Sequence, residues 1–381
     1  MKICVYDWAL HTIGGGQRNS CKIAEHLSKR KGNDMDLLTL FRVDKKTLEY
    51  YYSADLSKVN LLYLYPGFKK KDMSILHLTN FKKISELSGN YDLFFSVQGH
   101  ETVKPLSKYS ILFCHFPERA WYRSPKNFID RIKLILFFLY KKSLRNYAPS
   151  YDKVVGNSQY TQGWIKRLWG VNAEYLYLTT EIKKIKYGKK ENWITSAGRL
   201  TPDKGYEFMI DCFKKIYDSG VKNYKYIICG LVNDQNYLKK LEELSRGYPI
   251  EFKTDLSDDQ LVDIYSKSKI FFHAKGYGIN ENKTPQLAEH FGMATLEAMG
   301  YGCAPVTVKR GGQKEIVRDN QDGFLYLTQE EAIKSLLLIM QNEKLRKKFS
   351  EESKKRAQSF SLKIFQKNID KIVGEVLSKE K

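Results

Sequence analysis

The sequence predicts an α/β chain of two domains, each built on a parallel sheet. Three observations carry this. Short apolar strands alternate with helical patterns from end to end, as βα units require. The alternation restarts near residue 192, after a charged stretch without clean periodicity, Glu181-Ile-Lys-Lys-Ile-Lys-Tyr-Gly-Lys-Lys-Glu191. A length of 381 residues is long for one core and comfortable for two, and 42% hydrophobic content can fill both.

The elements follow in order. Ile3–Tyr6 reads as the first strand, followed by a glycine turn and a helix from about Gln17 to Arg30. Met35–Thr39, Leu61–Tyr65, Leu93–Val97, Ile111–His115 and Lys153–Gly156 are apolar runs of strand length. After the charged stretch, Ile194–Gly198 reads as a strand, Lys204–Tyr217 as a helix and Tyr224–Cys229 as a strand. Ile270–His273, Ala304–Val308 and a helix within Ala332–Met340 complete the second set. A last helix is expected over Leu362–Leu377, where apolar and charged residues alternate at helical spacing. The expected division is 1–180, 181–360 and a terminal segment, 361–381.

The formal charge is +21, and residues 1–178 hold 28 Lys and Arg against 15 Asp and Glu, or +13 of it. Such a field favours anionic partners: a nucleotide, nucleic acid or an anionic lipid surface. No nucleic-acid motif appears, so nucleic acid is not expected as a partner. The six cysteines form no Cys-x-x-Cys pair; they read as buried thiols in a reducing compartment, with no metal site. Met-Lys-Ile-Cys-Val-Tyr at the start reads as a strand and not a signal peptide. The longest apolar run, Leu134–Tyr140, falls far short of the ~18 residues that a bilayer span needs. The expected location is the cytoplasm, and the basic first half extends it to the inner face of a membrane.

Five constellations carry chemistry. The first is Gly14-Gly15-Gly16-Gln17-Arg18, which permits close approach of a ligand or another backbone before a helix N-terminus. It reads either as a phosphate loop or as a plain strand-to-helix turn. Its spacing is not that of the dinucleotide fingerprint. The second is Gly198-Arg199-Leu-Thr-Pro-Asp-Lys204-Gly205, where a planar guanidinium and an ammonium at a helix start can hold two phosphates. Third, His115 closes a strand in Cys114-His115-Phe-Pro, and Gln98-Gly-His100-Glu101 closes the preceding one; each histidine reads as a ligand contact or as a structural residue. Fourth is Phe272-His273-Ala-Lys275-Gly-Tyr-Gly278, expected as an exposed loop leading to Glu289. There Glu289-His-Phe-Gly292-Met293-Ala294-Thr-Leu-Glu297 sets two carboxylates across a glycine turn. The turn opens a helix whose free N–H groups and dipole suit a phosphate. Glu289 falls on the loop and Glu297 about a turn and a half into the helix, where a carboxylate can accept from sugar hydroxyls. Fifth, the apolar run 128–147 is flanked by Arg131, Lys133, Lys141, Lys142 and Arg145, and the Phe68-Lys-Lys-Lys71 cluster adds charge to the same domain. It reads either as a helix in a membrane interface or as a core helix with a solvated basic end.

The Glu289…Glu297 string, with Gly302-Cys-Ala-Pro-Val306 and Gly311-Gly-Gln-Lys-Glu-Ile-Val317 beyond it, resembles the Glu-x7-Glu signature of retaining glycosyltransferases of family 4. The Glu-His-Phe-Gly form is most like members that build lipid-linked glycans and surface polysaccharides. The resemblance implies the GT-B fold: two Rossmann-like domains facing a cleft, with the last helix crossing back to the first. It implies a nucleoside-diphosphate sugar as donor, a glycan or lipid-linked acceptor, no cofactor and no metal.

It also assigns roles. Arg199 and Lys204 neutralise the leaving diphosphate, together with the helix start at Gly292, Met293 and Ala294. Glu297 holds the ribose and Glu289 orients the sugar. Gly15, Gly16 and Gln17 lie near the donor phosphates and the acceptor, His115 lies near the transferred sugar, and Gln98 and His100 contact the acceptor. Leu256 and Leu261–Tyr265 fall where the family packs the nucleotide base. Tyr175-Leu-Tyr-Leu-Thr-Thr180 departs from the proline-containing interdomain turn of many relatives. Two other classes share parts of the pattern. One is a nucleotide-sugar epimerase of GT-B-like fold. The other is a non-catalytic glycosyltransferase-like subunit, which should have lost Arg199, Lys204 or Glu297; this chain keeps all three.

Overall fold

Residues 1–12, 14–67, 80–97, 102–117, 132, 146–183 and 188–379 are described by the computed structural model. They fall into two units, Met1–Tyr177 with Gln366–Lys381, and Leu178–Phe365. The Phe68–Lys71 cluster, the Gln98–Glu101 turn and all of the 128–147 run except Ile132, Asn146 and Tyr147 lie outside the described residues.

Unit 1 runs β1 (Lys2–Tyr6), α1 (Gly15–Ser28), β2 (Asp34–Phe41), α2 (Lys45–Tyr52), β3 (Asn60–Tyr65), α3 (Phe81–Ser88), β4 (Leu93–Val97), β5 (Tyr109–Cys114), β6 (Lys153–Gly156), α4 (Gln159–Trp169) and β7 (Glu174–Tyr175). The strands pair in the order β3-β2-β1-β4-β5-β6-β7, all parallel. Covered on both faces, they need apolar side chains at nearly every position, and β4 (LFFSV) is buried throughout.

Unit 2 repeats the plan. It runs β8 (Glu191–Ala197), α5 (Tyr206–Asp218), β9 (Lys225–Gly230), α6 (Gln235–Ser245), β10 (Ile250–Thr254), α7 (Asp258–Lys267), β11 (Ser268–His273), α8 (Met293–Gly300), β12 (Ala304–Val308), α9 (Gln313–Ile316), β13 (Phe324–Tyr326), α10 (Gln329–Gln341) and α11 (Glu343–Gln358). Its parallel sheet is ordered β10-β9-β8-β11-β12-β13. In both sheets the chain first builds outward on one side of the opening strand, then crosses to the other side. The two resulting switch points, β1/β4 and β8/β11, are where doubly wound sheets bind ligands, beyond the carboxyl ends of the strands. The fold class is therefore the one expected: two parallel-sheet Rossmann-like domains.

The last helix, α12 (Leu362–Leu377), enters unit 1 at Gln366. Ile369, Ile372, Val373 and Val376 are buried, His26 Nε2 lies 2.6 Å from Asp370 Oδ1, and Lys153 donates to Glu375 at 2.6 Å. The unit divisions fall at 177/178 and 365/366 because both ends of unit 2 are tied together: the Thr179 hydroxyl donates to the Phe360 carbonyl at 2.9 Å.

Two local readings change. Helix α5 starts at Tyr206 and not at Lys204, because a single 3₁₀ turn, Pro202–Lys204, precedes it. Lys204 thus sits on the turn, ahead of the helix. The 272–278 stretch is exposed only at its far end. Phe272, His273 and Ala274 are buried, since the strand carries them into the sheet.

Candidate functional site

In unit 2 the expected donor residues converge at the carboxyl ends of β8 and β11. Arg199 and Lys204 follow β8, His273 ends β11, and Lys275 comes two residues later. Lys204 Nζ donates to Glu289 Oε2 at 2.9 Å, and His273 Nε2 lies 3.4 Å from the same oxygen. The Lys275 ammonium, largely buried, is 3.9 Å from Asp203 Oδ2. The Arg199 guanidinium is exposed and makes no hydrogen bond or ion pair among the described residues.

The electrostatics follow from burial among these cations. Burial opposes ionisation of Glu289, yet Lys204, Lys275 and His273 outweigh it and hold the carboxyl well below the usual range. Burial also lowers the pKa of His273 against the pull of Glu289, and lowers that of Lys275. The site therefore holds an ionised carboxylate beneath an excess of positive charge, an arrangement suited to an anionic ligand.

Helix α8 adds to that excess. Its N-cap, Gly292, adopts φ +117°, and no side chain among the described residues caps the helix. The Met293, Ala294 and Thr295 N–H groups precede the first intrahelical bond, from Leu296 to the Gly292 carbonyl. A Cβ at Gly292 would stand 2.6 Å from Gln313 Nε2, so only glycine fits there. Glu297 lies on this helix, part-buried, near enough to Tyr265 to add to the burial that raises its phenol. Leu256, Leu261 and Val262 pack with Ile264 and Tyr265 on the Ala298–Tyr301 side of the same helix.

In unit 1 the glycines begin α1 directly. Gly14 is the N-cap, Gly15 and Gly16 form the first turn, and the Gly14 N–H donates to the Tyr52 hydroxyl at 2.9 Å. Gln17 follows on the same turn. His115, just past β5, lies against this turn: a Cβ at Gly16 would meet His115 Nε2 at 3.1 Å. That nitrogen is buried without a hydrogen-bond partner among the described residues, and burial holds the imidazole at a pKa of about 4, neutral at physiological pH. The structure thus brings Gly16 and His115 together, and separately gathers Arg199, Lys204, Glu289 and Gly292. Gln98 and His100 lie outside the described residues.

Three residues beyond the expected set belong to the unit 2 cluster: His273, Lys275 and Gln313. The first two stand in a motif the sequence singled out. Gln313 stands in the Gly311–Val317 string, but nothing local marks a role for its side chain, which reaches His273 across 40 residues. Among the described residues there is no group of three or more metal-ligating side chains, and no helix is long and apolar enough to cross a membrane.

Residues 179–356 match the family described as Glycosyl transferases group 1. The chain is 25% identical to a GDP-Man:Man(3)GlcNAc(2)-PP-Dol alpha-1,2-mannosyltransferase of Dictyostelium discoideum, over 60% of this chain and 47% of that protein. It is 25% identical to the alpha-1,3/1,6-mannosyltransferase ALG2 of Candida glabrata, over 64% and 60%. The chain thus spans about half of the curated relatives it matches. Among solved structures, HepE of Anabaena in complex with UDP and glucose aligns with a TM-score of 0.67 at 18% identity, covering 98% of this chain and 99% of that one. Sucrose-phosphate synthase of Thermosynechococcus elongatus aligns with a TM-score of 0.73 at 13% identity, covering 99% of each chain. These neighbours share the two-domain GT-B fold, and the Arg199, Lys204 and Glu289 cluster lies within the stretch that matches the glycosyl transferases group 1 family.

Proposed function

We propose that this chain is a retaining, metal-independent glycosyltransferase that moves a sugar from a nucleoside-diphosphate sugar to a glycan or lipid-linked acceptor. The observation that supports it best is the convergence of Lys204, Lys275 and the start of α8 around the ionised Glu289, with Arg199 close enough to act on Lys275. In this reading Arg199, Lys204 and the N–H groups of Met293 and Ala294 hold the donor diphosphate. They stabilise the charge that grows on the departing β-phosphate, where preorganised donors act most strongly. That cationic provision removes the need for a metal or other cofactor. Glu289 orients the sugar, and Glu297 accepts from the ribose hydroxyls.

The bond from the anomeric carbon to the phosphate oxygen breaks as the acceptor oxygen bonds to the same face. The acceptor proton passes to the departing phosphate. His115, Gly15, Gly16 and Gln17 contribute contacts on the unit 1 side, with Gln98 and His100 as acceptor contacts. The relatives named for dolichol-linked substrates support the lipid-linked acceptor. The +13 charge of residues 1–178 supports docking of the first unit on an anionic membrane from the cytoplasmic side.

Thermal unfolding with a panel of nucleotide sugars tests the reading. The right donor at ~100 times its Kd adds ~2.7 kcal/mol of stability. That donor then turns over with a glycan acceptor after exhaustive EDTA treatment. No stabilisation by any nucleotide sugar, or activity restored only by added magnesium or manganese, overturns it.

A further inference from the structure

Glu289 is held by two groups on one oxygen. Lys204 donates to Oε2, His273 Nε2 approaches the same atom, and Oε1 has no hydrogen bond among the described residues. A carboxylate attracts His273 Nε2 only if that nitrogen carries a proton. In a neutral imidazole the other nitrogen, Nδ1, is then an acceptor and needs a donor. Gln313 supplies one: its Nε2 lies 3.4 Å from His273 Nδ1. Gln313 is fully buried, and its Oε1 has no hydrogen-bond partner among the described residues. The reverse orientation of the amide would aim that oxygen at Nδ1, demand a proton there and turn a bare Nε2 lone pair toward the Glu289 carboxylate. The charges around the pair argue the same way, since Lys204 and Lys275 both oppose an imidazolium at His273.

We propose that Gln313 is a positioning residue whose side-chain amide fixes His273 as the Nε2–H tautomer. Glu289 then takes hydrogen bonds from His273 and Lys204 on one oxygen and keeps the other for the ligand. Backbone contacts on either side anchor the short helix that carries Gln313. The Gly312 N–H donates to the Glu289 carbonyl at 2.8 Å, and Arg356 donates from Nε to the Ile316 carbonyl at 3.1 Å. The same amide lies against Gly292, the N-cap of α8, so one side chain braces both the carboxylate and the helix start. The inference rests on the reading of Glu289 as the sugar-facing carboxylate; the tautomer itself does not.

The test is long-range ¹H–¹⁵N correlation NMR on the full chain with ¹⁵N-labelled histidine. The His273 signals are assigned by their loss in His273→Asn. The expected result for the parent chain near neutral pH is a neutral Nε2–H imidazole. Gln313→Leu should give a mixture of tautomers, and Gln313→Glu, nearly isosteric but an acceptor, should shift the proton to Nδ1. In both variants turnover should fall on the order of tenfold or more with donor KM little changed, the size expected when an orienting hydrogen bond is lost. An Nδ1–H or doubly protonated His273 in the parent chain overturns the proposal, as does an unchanged tautomer in both variants. The expected tautomers together with no transfer from any nucleotide sugar would uphold the role of Gln313 and reject the glycosyltransferase reading.

Discussion

Lys204 Nζ and Glu289 Oε2 are 2.9 Å apart, although 85 residues separate them and each side chain is only 17% exposed. The pair binds the turn after β8 to the loop before α8, and in the proposed reading Lys204 is also the cation for the donor phosphate. Lys204→Ala should lower turnover by at least ~10²-fold, as expected when a preorganised charge contact is lost. Steady-state kinetics with saturating donor check this, and near-normal turnover would reject the role of Lys204.

The same pair makes an acid prediction. Because Glu289 titrates well below 4.5 in the folded chain, it stays charged where the unfolded chain has taken up its proton. Its contribution to stability is complete above about pH 4.5 and is lost as the pH falls below that value. Glu289→Gln should therefore show a shallower loss of stability below about pH 4.5 than the parent chain. Denaturant midpoints across that range measure the difference. Parallel curves would mean that Glu289 is not held ionised.

Two buried groups in unit 1 oppose each other. Burial raises Asp7 from 3.8 to about 6, against hydrogen bonds from the Ser20 hydroxyl and the Ala9 N–H. Burial lowers His115 from 6.5 to about 4. Between these values the folded state holds an extra proton at Asp7, so that term weakens stability as pH rises. At His115 the unfolded state holds the extra proton, so that term strengthens stability as pH rises. Each is worth up to about 3 kcal/mol, and their windows overlap. Relative to the parent chain, Asp7→Asn should gain stability from about pH 4 to 6, and His115→Asn should gain it in the opposite direction. Thermal midpoints against pH read both slopes, and slopes of the same sign would refute the pairing.

Gly292→Ala tests the start of α8. At φ +117°, with Gln313 Nε2 2.6 Å from the new Cβ, alanine is both strained and obstructed. A loss of about 1–3 kcal/mol is expected, together with loss of donor binding. Calorimetry with the stabilising nucleotide sugar measures the second effect. Unchanged affinity would remove the α8 terminus from the donor site.

The α12 contact with α1 separates apolar from ionic contributions. Asp370 pairs with His26 and Arg30 but is 44% exposed, so Asp370→Ala should cost less than ~1 kcal/mol. Ile369 is fully buried, and Ile369→Ala should cost about 2–5 kcal/mol. Urea unfolding distinguishes them, and the reverse ranking would show that the ion pairs hold the helix.

Interior strands were legible because parallel sheets covered on both faces need unbroken apolar runs, as in β4 and β12. Three strands that the sequence reading passed over, β7, β10 and β13, all lie at sheet edges, where such runs are not required. Ile250–Thr254 is part-buried or exposed along its whole length, with a lysine in it. Local chemistry singled out Arg199, Lys204, Glu289 and Gly292, because glycine turns and paired cations are visible in short windows. It misjudged Phe272–Ala274, where nearby glycines suggested exposure but the strand buries the residues. Gln313 was beyond its reach, since its meaning depends on an approach to His273 that only tertiary packing creates.

The return of α12 to unit 1 also fixes an order of events during synthesis. The buried residues Ile369, Ile372, Val373 and Val376 leave the ribosome after the whole of Leu178–Phe365. Unit 2 has its full sequence before unit 1 does, so the usual rule that domains complete themselves from the N-terminus is inverted here. Until α12 arrives, unit 1 lacks the partners of those four buried side chains, and that interval is when the nascent chain most needs protection from aggregation.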